Sequence, residues 1–146
     1  LYIKNNQLGV HKDGEKIVKV IAGKFEKTEG PQKDHNVDPI YFHVMIEEGK
    51  EFTCDVPVGH NSFIYLLTGE LTVGENKHDK TSNSNLILLD RGDKLIVKAN
   101  KKSEFLFIAG KPIGEPIARG GPFVMNTKAE ILQAVQDYHN GTFAKY

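Results

Sequence analysis

The chain has 146 residues, 39% hydrophobic and 26% charged, and its 19 basic and 19 acidic side chains cancel. That length suits a single globular domain, and zero net charge excludes a global field that would draw in nucleic acid, an anionic membrane or an acidic substrate. With one cysteine, Cys54, no internal disulfide can form, and nothing resembles a secretory signal or a membrane span, so a reducing, cytoplasmic setting is the expectation.

In chain order, Leu1 to Ile3 reads as a short edge strand or a frayed end. Lys16 to Ala22 (KIVKVIA) has the β-branched density of a strand and stops at Gly23. The polar run Glu26 to Asp38 carries turn residues and reads as a surface loop. Ile40 to Ile46 alternates: Ile40, Phe42, Val44 and Ile46 share one face, Tyr41, His43 and Met45 the other. With both faces partly apolar, it reads as a central strand between two layers. Phe52, Cys54 and Val56 give another alternating strand. Phe63 to Val73 reads as a hairpin broken at Thr68-Gly69. Asn76 to Ser84 is a polar loop. Asn85 to Leu89 and Lys94 to Ala99 read as a strand pair around Asp90-Arg91-Gly92-Asp93. Glu104 to Ala109 (EFLFIA) is the most apolar strand. Lys98, Lys101 and Lys102 form a small basic spot that reads as a solvated turn rather than a phosphate site.

From Ala109 to Phe143 the pattern changes. A turn-rich segment with Gly110, Pro112, Gly114, Pro116, Gly120, Gly121 and Pro122 leads into one helix. Thr127 and Glu130 make a capping box, Ile131, Val135 and Tyr138 form a stripe with Leu132 beside it, and Gly141 stops the helix. Four such side chains need a docking surface, either within the domain or on a neighbouring domain or subunit. Many short strands without intervening helices argue for a β-sandwich or barrel. The expected organisation is one domain over residues 1–146, a β-barrel over about 1–125 and a helical tail over about 127–140.

Two stretches carry a family resemblance. Pro57 to Gly74 (PVGHNSFIYLLTGELTVG) is similar to the core strand pair of cupins. Ala109 to Phe143, with GKPIGEPIARGGPFVMNT followed by EILQAVQDYHNGTF, resembles the C-terminal signature of the pirin family. The resemblance implies an all-β, cupin-type jelly-roll barrel (a double-stranded β-helix) with one C-terminal α-helix. Pirins are bicupins, whose N-terminal barrel holds a mononuclear iron through three histidines and a glutamate. Bacterial members resemble quercetin 2,3-dioxygenases, and eukaryotic ones are linked to transcription-factor complexes. This chain resembles the second barrel only; the first, with its His-x-His motif, is not in these residues.

A cupin metal site needs two histidines at period-two spacing, a carboxylate a few residues on and a distal histidine. Taking Gly69 as the anchor puts the histidine pair near Asp55 and Pro57, or Val56 and Val58, and the carboxylate near Asn61 or Ser62. Taking Gly92 as the second anchor puts the distal histidine on Ser103. None of these offers an imidazole, so neither a metal nor a catalytic residue is expected in this chain, and iron is expected in the absent N-terminal barrel. His60, in a Gly-His-Asn turn, reads as a backbone-bonding residue. His43 could enter the barrel but reads first as a structural, hydrogen-bonded histidine. An atypical site built from His43 and His60 with Asp55 or Glu47 is the alternative. His11, His35 and His78 fall in polar loops, and His139 sits near the helix end, where a cation favours the dipole. Cys54 reads as a small buried apolar residue.

The functional expectation is a metal-free cupin domain, non-catalytic by itself. It would pack against its own N-terminal cupin domain or a second subunit through Arg119, Pro122, Phe123, Met125, Ile131 and Tyr138. The alternative is an iron-dependent, quercetin 2,3-dioxygenase-like oxygenase, an activity of the intact parent. A protein-interaction role with transcription factors is a further option. Neither nucleic acid nor membrane is an expected partner.

Overall fold

The computed structural model describes residues 3–32, 36–74, 80–82 and 84–144. His35 and His78 therefore lie outside the described residues, as do Leu1 and Tyr2 and much of the Asn76 to Ser84 loop. In chain order the strands are β1 (Gly9–Lys12), β2 (Lys16–Ala22), β3 (Lys24–Phe25), β4 (Thr28–Glu29), β5 (Ile40–Ile46), β6 (Glu51–Asp55), β7 (Asn61–Thr68), β8 (Glu70–Val73), β9 (Lys80–Ser82), β10 (Asn85–Leu89), β11 (Lys94–Ala99), β12 (Ser103–Gly110), β13 (Ala118–Gly120) and β14 (Phe123–Met125). Helix α1 (Lys128–His139) follows. The described residues fall into two compact units divided between Pro112 and Ile113, so the β13–β14 hairpin goes with the helix.

In the first unit two antiparallel sheets face each other. One has six strands in the order β1-β2-β5-β12-β7-β10, the other four in the order β6-β11-β8-β9. The chain alternates between them: β5, β7, β10 and β12 lie in the larger sheet, β6, β8 and β11 in the smaller. This is the jelly roll that the family resemblance implies, although the two sheets do not close into one continuous barrel.

Period-two alternation drives the assembly. In β5, Ile40, Phe42, Val44 and Ile46 are buried while Tyr41, His43 and Met45 are half-exposed, and β12 repeats the rule with Ser103, Phe105, Phe107 and Ala109 inside. Side chains from both sheets meet in one cluster. At its centre the Phe25 ring stacks on Phe52 at 5.4 Å, and Phe52 meets Phe105 edge to face at 5.6 Å. Aromatic pairs at these separations add roughly 0.5–1.5 kcal/mol beyond their burial. Gly69 makes the β7–β8 return possible. Its φ is +97°, and a Cβ there would collide with the Ser103 side chain and the Lys102 carbonyl.

The pairing corrects two expectations. Asn85–Leu89 and Lys94–Ala99 are not a hairpin: β10 pairs with β7, whereas β11 pairs with β6 and β8, so Asp90 to Asp93 carries the chain from one sheet to the other. β5 is central within its sheet, but its Tyr41-His43-Met45 face lies on the outside and not between the layers. The start of the polar run from Glu26 is the turn and second strand of a miniature hairpin, β3–β4, whose first strand places Phe25 in the core. The basic spot is a turn whose lysines meet carboxylates, Lys101 with Glu70 at 3.6 Å and Lys102 with Glu47 at 2.7 Å.

In the second unit α1 packs on the β13–β14 hairpin. Its start is the expected capping box: the Glu130 N–H donates to Thr127 Oγ1 at 3.2 Å, and the Thr127 N–H donates to the Glu130 carboxylate at 2.7 Å. At its end Gly141 takes φ +70°, and the Thr142 N–H returns to the Asp137 carbonyl at 2.8 Å, closing a Schellman motif. Among the described residues no helix is long and apolar enough to cross a membrane.

Candidate functional site

The positions where a cupin would hold its ion run from the end of β6 into β7 and recur at the start of β12. Asp55 is exposed and Val56 is buried, its N–H donating to the Asp93 carbonyl at 2.8 Å. Pro57 to His60 form a turn in which the His60 N–H donates to the Pro57 carbonyl at 3.1 Å; Val58 projects from it, 87% exposed. Asn61 is exposed and Ser62 half-buried. Ser103 is buried, and its hydroxyl bridges β8 and the preceding turn. It accepts from the Glu70 N–H at 3.1 Å and donates to the Lys101 carbonyl at 2.7 Å. The hydroxyl therefore ties β12 of the larger sheet to β8 of the smaller one.

The histidines go to different places. His60 is buried, with Nε2 3.0 Å from the Asp38 carbonyl. A carbonyl only accepts, so Nε2 carries the proton, and this is the backbone-bonding role expected of a turn residue. His43 does not enter the interior, because its place in the β5 alternation turns it to the outer face. There Nε2 lies 2.6 Å from Glu104 Oε1 on the neighbouring β12. His11 packs edge-on against Phe25 at 5.2 Å and lies 3.6 Å from Glu26. His139 is at the exposed end of α1. The alternative site is not assembled: among the described residues no three His, Cys, Asp or Glu side chains converge in a way that could hold an ion. Cys54 is buried beside the core, and burial, reinforced by the charge of Asp55, pushes its thiol up to about 12. A thiol with that pKa is no nucleophile at neutral pH. The donor set implied for a mononuclear iron thus does not fit the residues present.

The six residues expected at a contact lie in the second unit. Pro122, Phe123, Met125 and Tyr138, with Val124, Val135, His139 and Phe143, line a groove of about 780 Å³. Phe123 is its hub, 6.0 Å from the Tyr138 ring and 5.0 Å from Phe143. Ile131 sits apart from the groove and packs on the hairpin backbone, where a Cβ on Gly120 would come within 2.5 Å of it. Arg119 is exposed on β13, opposite Val124. Phe143 escaped sequence reading, although an aromatic two residues past Gly141 was the available signal. Glu104 also escaped it, since a cross-strand partner 61 residues away becomes visible only once β5 and β12 are in register.

Residues 41–144 match the pirin C-terminal cupin domain. The chain belongs to the pirin family. It is 37% identical to a pirin-like protein of Caulobacter vibrioides over 133 residues, 90% of this chain and 47% of that protein. It is 36% identical to human pirin over 104 residues, 69% of this chain and 36% of that one. A crystal structure of quercetin 2,3-dioxygenase from Acinetobacter baumannii superposes with a TM-score of 0.84 at 29% identity, covering 98% of this chain and 50% of that chain. The chain therefore spans about half the length, or less, of the relatives it matches.

Proposed function

We propose that this chain is the metal-free cupin half of a pirin-like protein, non-catalytic by itself, which completes that protein by packing against an N-terminal, metal-bearing barrel. The observation that carries this reading is the chemistry at the ligand positions. Asp55, Val56, Pro57, Val58, Asn61, Ser62 and Ser103 supply no imidazole, and the Ser103 hydroxyl is already committed to β8 and the Lys101 carbonyl. Three histidines and a glutamate would have to be regained together. The half-length match to longer relatives supports a companion domain. The apolar groove around Phe123, with Arg119, Pro122, Met125, Ile131 and Tyr138 on the same unit, is the surface assigned to it. A protein partner of the transcription-factor kind would use the same unit through protein contacts, since the neutral charge offers no nucleic-acid footprint.

The test is elemental analysis of the chain expressed with added iron, together with a quercetin-oxidation assay. Substoichiometric iron and no turnover are expected; one tightly bound iron per chain would overturn the reading. The second reading, an iron-dependent oxygenase acting on flavonol-like compounds, is supported by the likeness to the quercetin 2,3-dioxygenase of A. baumannii and would be an activity of a longer, intact protein. Were this domain to act alone, His43→Ala with His60→Ala would abolish turnover; unchanged turnover in the double variant disposes of that version.

A further inference from the structure

Asp13-Gly14 and Asn140-Gly141 each put a side-chain carbonyl carbon next to the backbone nitrogen of a glycine. A glycine has no Cβ to shield that nitrogen, so it can attack the γ-carbon of the residue before it and close a succinimide ring. The fold treats the two pairs differently. The Asp13 carboxylate is occupied: it accepts from the Glu15 and Lys16 N–H groups at 3.0 and 2.9 Å and pairs with Lys16 Nζ at 2.8 Å. The lysine contact holds its carboxyl well below the usual carboxylate range, and an ionised carboxylate resists attack by a nucleophile. The Asn140 amide is in the opposite state. It is neutral and exposed at the end of α1, and its side chain has no hydrogen-bond partner among the described residues. Gly141 beside it is exposed as well.

We infer that Asn140-Gly141 is a modification site at which the chain converts its own asparagine to aspartate and isoaspartate, and that the conversion unseats Phe143 from the groove around Phe123. The Gly141 nitrogen, giving up its proton, forms a bond to Asn140 Cγ while the Cγ–Nδ2 bond breaks and ammonia leaves. Water then opens the imide. Cleavage at Cγ–N leaves aspartate; cleavage at the α-carbonyl leaves isoaspartate, whose main chain runs through the former side chain. Helix α1 sets the pace. Asn140 is its C-cap with ψ −4°, whereas ring closure needs the Gly141 nitrogen eclipsed with the Asn140 Cβ. The Gly141 N–H is also held by the Tyr138 carbonyl at 3.2 Å. The reaction therefore proceeds from the opened last turn, the part of a helix that frays first. The consequence follows from the same backbone. The Thr142 N–H returns to the Asp137 carbonyl at 2.8 Å, and the next residue, Phe143, sits 5.0 Å from the Phe123 ring. The methylene that isoaspartate adds to the main chain breaks that return, and either product sets a negative charge at the negative end of the helix dipole. The groove is the surface assigned above to a partner half, but the conversion and the release of Phe143 stand whether or not that assignment holds.

Incubation of the 146-residue chain at mildly alkaline pH, followed by ion exchange and peptide mapping by mass spectrometry, tests it. A more acidic species is expected to accumulate, with aspartate and isoaspartate at position 140, and to do so faster in urea than in the native chain. Asn140→Gln puts the amide on a longer arm, which closes a ring far more slowly, and the acidic species is lost. In the isolated isoaspartyl fraction of the wild type, nuclear Overhauser contacts between Phe143 and Phe123 disappear and the Thr142 N–H exchanges freely. Asn140→Asp carries the charge without the extra methylene. Its Thr142 N–H is expected to exchange about two- to fivefold faster than in the wild type, the effect of one ill-placed charge. A wild type that gains no acidic species, or a conversion mapped to Asp13 or to another asparagine, overturns the inference. So does a conversion that runs equally fast with and without urea, or an isoaspartyl fraction that keeps both the Thr142 protection and the ring contact.

Discussion

Replacing Phe52 by alanine asks whether the space between the sheets is full. Phe52 has no solvent exposure and is held between the stacked ring of Phe25 and the edge of Phe105. Removing it forfeits about 1.5–3 kcal/mol of burial. The loss of two ring contacts adds roughly 0.5–1.5 kcal/mol each, and the cavity left behind adds more because packed surroundings relax only partly. These contributions overlap, so the expected destabilisation is about 3–5 kcal/mol. Urea unfolding followed by fluorescence and circular dichroism measures it as a fall in midpoint at unchanged slope. Phe52→Leu keeps most of the volume and should cost less than half as much. A loss below about 1.5 kcal/mol for the alanine variant would show a site able to tolerate a void. The interior would then have room for a ligand, against the reading of a packed, supporting barrel.

Ser103→His, the nearest single step towards a cupin ligand, should lose about 1–3 kcal/mol to overpacking against Gly69 and a further 1–3 kcal/mol where the Glu70 N–H loses its acceptor, with no iron gained. Urea midpoints and elemental analysis check it, and wild-type stability with bound iron would contradict it. Thr127→Ala removes the helix cap and should cost about 1 kcal/mol, read as faster amide exchange in the first turn of α1; Thr127→Ser should restore protection. The Cys54 thiol, raised to about 12 by burial, should resist thiol reagents in the folded chain at pH 8 and react at once when unfolded. Since the unfolded thiol ionises first, stability should fall as pH climbs from the thiol's ordinary value towards 12, a loss that Cys54→Ala abolishes.

The strands of the core were legible because each carries its own period-two record. Ile40 to Ile46 shows its two alternating faces and Glu104 to Ala109 its apolar content, and both are strands; which face of each is buried emerges only in the fold. The helix was equally plain, since Thr127 with Glu130 at its start and Gly141 at its end each act within a few residues of the terminus they set. Long-range pairing was not legible. Nothing between Asn85 and Ala99 says that Asp90 to Asp93 crosses from one sheet to the other, because a turn between adjacent strands and a crossover between layers use the same polar residues. The same limit hid the destination of His43. Alternation placed it opposite Phe42 and Val44, but only the β5–β12 register reveals Glu104 as its partner and the outer face as its setting.

That outer face also explains why the strand looked as if it lay between two layers. Tyr41, His43 and Met45 have the composition of a covered surface, and so do Phe63, Tyr65, Leu86 and Leu88 on the strands beyond β12. In the smaller sheet the corresponding positions on β6 and β11 hold Asp55, Thr53, Glu51, Lys94 and Lys98, with Ile96 the one apolar side chain among them. The outer face of the larger sheet is thus the more apolar of the two, and in the second unit the hairpin and helix present a further apolar surface around Phe123. Both offer apolar side chains to a partner, which is what the proposed role of a supporting half requires.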